Sequence, residues 1–264
     1  MSIDLWLGRR IQMREHSKIL KGRARNALHN RYGTPMLALA VMVFVYVLIS
    51  SPFNYSLLIA QKSSSLIIYV IANILIFTVF FEIMVGFNYI HLLIARNTKP
   101  KLRDLLFAFK NRPDRFLPVI LIRDGIYFIC LLPSFVTMFL PVTYENLLFM
   151  TMLSTGLTLA GAIVGLIITT RFALADYLMI DNPQMKGIDA IKESMRLMKG
   201  QNSHLLYIYF SFIGYVILAF MSFNLGFLWV IPYITETNTC LYLESIGEPF
   251  YMDIEKSPII DVEV

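Results

Sequence analysis

The sequence predicts an all-α, polytopic membrane protein: a helical bundle of about six transmembrane helices, with amphipathic helices on its cytoplasmic face. Three observations lead there. The composition is too apolar for a soluble domain, with 57% hydrophobic and only 16% charged residues, against roughly 45–50% and about 25% in ordinary soluble domains. The apolar residues gather in runs near the ~20 residues that a helix needs to cross a ~30 Å hydrocarbon core. Lys and Arg crowd alternate connections between those runs, the pattern left when basic loops stay on one side of a membrane.

In chain order, residues 1–34 form a basic arm. Arg9, Arg10, Arg14, Lys18, Lys21, Arg23, Arg25 and Arg31 surround Leu20, Ala24, Ala27 and Leu28, which fall at helical spacing. An amphipathic helix lying on the inner leaflet is expected. No aromatic positions interleave the charges, which argues against a nucleic-acid-binding arm. The first apolar run begins only near Pro35, too late for a cleaved signal peptide.

The transmembrane domain is expected over 35–243. The first span, about 35–51, closes on the turn signal Ser51-Pro52-Phe53-Asn54, and the following loop holds only Lys62. The second, about 66–95, leads into a loop with seven Lys and Arg residues. There Pro100 opens a short amphipathic helix carrying Leu102, Leu105, Leu106 and Phe109. The third, about 116–140, contains Pro118 and Pro133, whose freed backbone groups need partners in the bundle. The connection from Pro141 to Asn146 has no cation. The fourth, about 147–170, carries Gly161-x-x-x-Gly165, a small-residue face for close packing within the chain.

Asn182 or Asp181 then caps an interfacial helix over 183–199, with Pro183 at its first position. Ile188, Ile191, Met195 and Met198 form its apolar stripe, and Lys186, Lys192, Arg196 and Lys199 are its candidate contacts to anionic lipid. The fifth span covers about 204–223. The sixth, 225–243, is the weakest: its apolar part is short, holds Pro232, and runs into Thr235-Glu236-Thr237-Asn238-Thr239, so a re-entrant segment also fits. Residues 244–264 read as an acidic flexible tail. The cation alternation places the N-terminus in the cytoplasm, and six spans return the C-terminus there. Basic helix followed by hairpin occurs three times, over 1–95, 96–180 and 181–243. Duplication and the bare positive-inside rule both account for that.

Six charges sit where a membrane should exclude them: Glu82, Arg123, Asp124, Arg171, Asp176 and Glu236. A charge at the bilayer centre costs ~2.5–3.5 kcal/mol on insertion scales, so each should be neutral, paired or facing water. Asn73, Asn88 and His91 add polar atoms to the second span. One reading is a polar path or pocket near the inner leaflet with Glu82 as proton or substrate acceptor. The other is a set of helix-pairing contacts, such as Arg123 to Glu82 or Arg171 to Asp124.

Recognisable chemistry is missing. His16, His29, His91 and His204 are scattered, and Cys130 and Cys240 have neither ligand nor disulfide-framework spacing. There is no phosphate-cradling glycine loop and no G-x-S-x-G elbow. No catalytic residue, metal or cofactor is expected.

The segment Arg171-Phe-Ala-Leu-Ala-Asp-Tyr-Leu-Met-Ile-Asp-Asn-Pro183, with Ala190-Ile-Lys-Glu-Ser194, Leu197-Met-Lys-Gly200, Ser211-Phe-Ile-Gly214 and Leu228-Trp-Val-Ile-Pro-Tyr233, resembles one family. It looks like the bacterial integral membrane proteins of domain of unknown function 975. The resemblance is strongest over 171–243; Glu82, Gly86, Arg96 and Asp104 to Lys110 also fit. More distantly the chain is similar to the non-catalytic membrane domains of some glycerophosphodiesterases. The family implies six membrane helices in a bacterial cell membrane and supplies no activity. Two functions are expected of such a chain: a non-enzymatic scaffold that organises lipid or other membrane proteins, or a small-molecule or ion transporter using Glu82.

Overall fold

The computed structural model of the chain describes residues 3–59, 63–137, 140, 143 and 145–249, with side chains described from residue 16 onward except at 52–70, 73–74 and 77. Lys62, Asn73 as a side chain, Pro141 and the tail beyond residue 249 lie outside the described residues. The helices are α1 (Ile3–Leu28), α2 (Gly33–Ile59), α3 (Ser63–Ala95), α4 (Phe107–Lys110), α5 (Leu117–Thr137), α6 (Leu147–Thr169), α7 (Ala175–Asp181), α8 (Gly187–Leu197), α9 (Asn202–Phe210), α10 (Ile213–Met221) and α11 (Phe227–Ser245). No strand occurs among the described residues. Five segments there are long and apolar enough to cross a membrane: Gly33–Ser51, Thr78–Ala95, Leu117–Thr137, Leu147–Asp181 and Asn202–Met221. The chain is a multi-pass helical membrane bundle.

Two long hairpins, α2 with α3 and α5 with α6, leave one end of the bundle almost bare. Phe44 and Leu48 on α2, Phe128 and Ile129 on α5, and Leu148, Phe149 and Met152 on α6 are exposed there. Bare apolar surface is the expected state against lipid, where nothing drives it inward. Burial concentrates at the opposite, basic end. There the last turns of α3, the start of α5, all of α7, one face of α8 and the second half of α11 form one core.

The central element is α11, the helix whose apolar run is the shortest. It packs on α1, α2, α3 and α10. Thr235, Glu236, Thr237 and Thr239 are all buried. Their hydroxyls fold back onto their own helix, Thr237 donating to the Tyr233 carbonyl at 2.8 Å and Thr239 to the Thr235 carbonyl at 3.0 Å. A helix wrapped by other helices needs no lipid-compatible exterior, which is why it fails a hydropathy test and still runs the depth of the core.

Several boundaries differ from the sequence expectation. The backbone stays helical past Ser51-Pro52 to Ile59, so that turn signal is overridden; transmembrane helices tolerate proline when neighbours satisfy the freed groups. The prolines do not break α5 or α11 either, both of which run through Pro133 and Pro232. The interruptions fall at 170–174, between α6 and α7, and at Ser211–Phe212, between α9 and α10. At the second, Ser211 Oγ donates back to the Ile208 carbonyl at 2.5 Å, competing with the helical ladder. Lys21 Nζ donates to the Ser211 carbonyl at 3.2 Å and lies 4.1 Å from the Phe212 ring centroid. Burial there pulls the Lys21 ammonium below its ordinary pKa, and Arg25 adds to the effect.

The interfacial helix begins at Gly187 rather than at Pro183. Asn182 instead closes α7, its side-chain amide donating to the Leu178 carbonyl at 2.9 Å. Arg115 gathers the carbonyls at the end of α7 and just beyond it, donating to Met179 at 2.7 Å and to Pro183. The expected stripe of α8 divides: Ile191 and Met198 are buried, while Ile188 and Met195 are exposed. The expected lipid-facing stripe of α1, Leu20, Ala24, Ala27 and Leu28, is covered by protein, chiefly α11 and α9. The start of the acidic tail is anchored as well, through Glu244 and Glu248.

Candidate functional site

Small residues bring α5 and α6 together. A Cβ at Gly161 would sit 2.3 Å from the Cys130 carbonyl oxygen, and one at Gly165 would sit 2.7 Å from the Tyr127 ring. Only glycine permits that approach, so Gly161-x-x-x-Gly165 serves packing within the chain. The closeness brings the Tyr127 hydroxyl to 3.3 Å from Thr169 Oγ1, where α6 ends.

Beyond Thr169 the chain makes a 3₁₀ turn, Thr170–Phe172, and starts again as α7. The broken ladder leaves backbone groups without partners, and Ser194 of α8 supplies them. Its Oγ accepts from the Leu174 N–H at 3.1 Å and donates to the Arg171 carbonyl at 3.4 Å. The interruption swings α7 into the core, where Ala175 to Ile180 are all buried.

That swing carries Asp176 to Arg123. Arg123 Nη2 lies 2.8 and 2.9 Å from the two carboxylate oxygens, and Asn88 Nδ2 lies 3.5 Å from Oδ2. The guanidinium also sits 5.7 Å from the Phe81 ring centroid. Beside this pair is a cavity of about 230 Å³. Its wall is formed by Met84 and Asn88 of α3, Arg123 and Tyr127 of α5, Leu166 and Thr169 of α6, the interruption itself through Thr170, Phe172 and Ala173, Asp176 and Tyr177 of α7, Tyr209 of α9, and Thr235 and Asn238 of α11. Tyr177 OH lies 3.2 Å from Thr239 Oγ1 and 3.5 Å from Asn88 Oδ1. Arg123 Nε and Asn238 Oδ1 are buried with no hydrogen-bond partner among the described residues.

The six intramembrane candidates separate. Arg123 and Asp176 pair and line the cavity. The expected Arg123–Glu82 pairing is replaced by Arg123–Asp176, because the interruption delivers Asp176 where a continuous helix would not. Glu82 is 3% exposed, and neither carboxylate oxygen has a partner among the described residues. It does not line the cavity. It shares an α3 face with Gly86 and Tyr89, one and two turns on, the face that carries the Leu102–Lys110 segment. Glu236 is fully buried, with Oε2 2.6 Å from His91 Nδ1. Asp124 is half-buried on α5, and Arg171 is exposed; the expected Arg171–Asp124 contact does not form. Lys186, Lys192, Arg196 and Lys199 are exposed, with Arg196 paired to Glu193 at 2.5 Å.

A second cluster closes the basic end. Arg96 donates to both oxygens of Asp181 at 2.7 Å and to both of Glu248 at 2.8 and 2.6 Å. Those carboxylates, Asp181 first, hold its guanidinium well above the ordinary pKa. Tyr242 OH donates to Asp181 at 2.7 Å. Arg23 and His16 of α1 both meet Glu244, at 3.1 and 2.5 Å, and Arg31 meets Asn97. The ends of α3, α7 and α11 and the basic arm are thereby tied together.

Tyr127, Tyr177, Tyr209 and Asn238 are not singled out by the sequence. The one available signal is the run Thr235 to Thr239, whose polarity marks a wall of a polar interior as well as a doubtful span. Among the described residues no group of three or more His, Cys, Asp and Glu side chains could hold a metal ion.

Comparison with known proteins adds the remaining finding. No curated protein and no solved structure matches the chain. A family model described as "Protein of unknown function (DUF975)" matches residues 13–248, from α1 through the Arg96–Glu248 ion pair. The match takes in the interrupted helix, the cavity wall and α11, and the chain belongs to the DUF975 family.

Proposed function

We propose that the chain is a non-enzymatic protein of the bacterial cell membrane that holds a small polar ligand in the cavity beside the α6–α7 interruption, in the manner of a solute transporter or permease. The observation that carries this reading is the coincidence of an interrupted helix with a polar cavity. Non-helical backbone at membrane depth is tolerated where it is buried in protein or lines a wet cavity, and transporters build their sites at such helix breaks. The wall offers hydroxyl, amide and guanidinium groups engaged with one another, an arrangement suited to binding rather than to bond-making. The centre of the reading is Arg123–Asp176, with Glu82 on the far face of α3. The basic end, with both ends of the described chain, faces the cytoplasm by the positive-inside rule.

The test is water access. In a background lacking Cys130 and Cys240, Ala173→Cys on the cavity wall should react with a small methanethiosulfonate in intact vesicles. Ala162→Cys on the exposed face of α6 should not, because a thiolate does not form in lipid. If the two thiols are equally unreactive, the cavity takes no water and the reading fails.

The exposed face of α8 favours a second role as a scaffold. Ile188 and Met195 stand there among Lys186, Lys192, Arg196 and Lys199, the composition of a helix lying on an anionic surface. Replacing Lys192, Arg196 and Lys199 by glutamine should strip anionic lipid from the purified protein. An unchanged lipid and partner profile would remove that role.

A further inference from the structure

We infer that the cavity beside Arg123 and Asp176 is entered from within the bilayer and takes the phosphate-bearing head of an inner-leaflet phospholipid, whose acyl chains stay in lipid. This rests on the proposal that the cavity is a ligand site, and it names the class of ligand and its route. The packing of α5 and α6, the surface beside the cavity and the open nitrogen of Arg123 lead to it.

The α5–α6 hairpin stands apart from the helices across the cavity. Its apolar stretches are 11% buried, against 28% to 50% in the other three spans. Helix α6 packs on α5, and neither of them has a comparable contact with α9, α10 or α11 among the described residues. Yet Tyr127, Leu166 and Thr169 of the hairpin share one half-open cavity with Tyr209 of α9 and Thr235 of α11. On its basic side the cavity is covered, because α8 and α9 both pack on the Thr170–Phe172 turn. The gap between the hairpin and α9–α11 therefore runs sideways, into the bilayer.

The sides of that gap suit an acyl chain. On α6 the positions one and two turns from Leu166, away from the basic end, are Ala162 and Leu159, both exposed. On α11 the position one turn from Thr235 in the same direction is Ile231, partly buried. An apolar slot that leads from lipid into a polar cavity fits an amphiphile, which moves its head into protein and leaves its chains behind. The depth fits as well. Arg123 lies six residues after Leu117, the start of α5, roughly 9 Å along the helix. The head-group layer is itself roughly 5–7 Å deep on each side, so a head from the inner leaflet sinks only a few ångströms to reach it.

Arg123 supplies the contact to the head. Asp176 engages its Nη2, and its Nε is sealed from water. Nη1 makes no hydrogen bond among the described residues and is not sealed. The 21% of this side chain that stays exposed therefore includes an open N–H pair, on a residue that lines the cavity. Asp176, 5% exposed, turns both oxygens toward Nη2, so the guanidinium rather than the carboxylate meets the ligand. Guanidinium N–H groups bind phosphate oxygens through short, charge-assisted hydrogen bonds. The cavity, about 230 Å³, lies below the ~300–1,000 Å³ of drug-sized sites, which suits one head group without its chains.

The test counts molecules bound to the detergent-purified protein by native mass spectrometry, with Lys192, Arg196 and Lys199 replaced by glutamine to strip lipid from α8. Three probes are titrated: phosphatidylglycerol, the diacylglycerol with the same chains, and glycerol phosphate. The first phosphatidylglycerol should bind about tenfold more tightly than diacylglycerol, the difference expected for one charge-assisted hydrogen bond. Glycerol phosphate, which has no chains, should bind far more weakly than the lipid. Arg123→Gln should remove the tenfold preference, and Ala162→Trp should weaken phosphatidylglycerol by filling the slot. If Arg123→Gln does not fold, the three probes and Ala162→Trp carry the test. Equal binding of phosphatidylglycerol and diacylglycerol, glycerol phosphate bound as tightly as the lipid, or no effect of either variant overturns the inference. If the Ala173→Cys thiol reacts in vesicles while no phospholipid is selected, the ligand class is wrong and the carrier reading stands. Selection of phospholipid with an unreactive thiol keeps the lipid site and removes the carrier.

Discussion

Gly86→Ala should be among the most damaging single-methyl additions in the protein. The added Cβ would lie 1.9 Å from the Leu105 carbonyl oxygen, 2.4 Å from its carbonyl carbon and 2.8 Å from its Cα. All three are backbone atoms, so no rotamer change relieves the clash. The Leu102–Lys110 segment must withdraw by about 1.6 Å to reach an ordinary contact of roughly 3.5 Å. Withdrawal uncovers Leu105 and Ala108, now 5% and 0% exposed, and opens the Tyr89–Phe107 stack at 4.2 Å. Overpacking costs typically 1–3 kcal/mol, and a backbone-on-backbone clash belongs at the upper end, about 3 kcal/mol. At roughly 2–4 °C per kcal/mol for a chain of this size, the melting temperature should fall by about 6–12 °C. The control is Gly156→Ala, where a Cβ meets nothing within 4 Å; it should be neutral or stabilising by up to ~1 kcal/mol. Thermal unfolding in detergent reads the difference, and trypsin at exposed Lys101 and Arg103 reads detachment of the segment. If the two alanine variants melt together, the close approach of this segment to α3 is not part of the folded protein.

Arg96→Gln should loosen the basic end by about 1–2 kcal/mol, a figure reduced for side chains that remain partly exposed. Hydrogen exchange at residues 244–249 should accelerate, and unchanged protection would show that the ion pairs hold nothing. Glu236→Leu should cost ~1–3 kcal/mol by leaving buried His91 without its partner; adding His91→Leu should recover part of that loss, since a buried polar pair replaced whole is often neutral. A double variant less stable than the single one would contradict this account. Ser194→Ala should orphan the Leu174 N–H for ~1–3 kcal/mol and change the reactivity of Ala173→Cys, whereas an unaltered thiol rate would mean that Ser194 does not hold the interruption.

The membrane class, the hairpins and the basic face were legible because each rests on a one-dimensional quantity, either apolar run length or Lys and Arg count. The cavity was legible in half. Arg123 and Asp176 stand out in any apolar run, yet their pairing depends on a helix break that no proline or glycine marks. Thr170 to Leu174 break the helix because α8 is present to receive the backbone through Ser194, a contact made 20 residues away. Gly187 makes that docking possible, since a Cβ there would lie 2.9 Å from the Arg115 carbonyl oxygen. The turn signal at Ser51-Pro52 misled, since the backbone stays helical through it to Ile59, and Pro133 and Pro232 likewise stand inside continuous helices. The stripe of α1 misled as well, because Leu20, Ala24, Ala27 and Leu28 form the same pattern whether lipid or α11 covers them.

The polarity of α11 follows from the topology of the ends. Arg96 closes α3, Asp181 closes α7, and Glu248 follows α11, and the three meet in one ion-pair cluster. Arg23 of the basic arm reaches Glu244 beside it. The end of α1 that leads into α2 and the end of α11 therefore lie at the same end of the bundle. Five segments are long and apolar enough to cross a membrane, and α11 packs among them. Because it returns last, through a space already walled by α1, α2, α3 and α10, it meets side chains on nearly every face. Its Thr-rich run is then buried in protein. The same enclosure delivers Thr235 and Asn238 to the cavity and Glu236 to His91, two polar sites that a lipid-facing helix could not have carried.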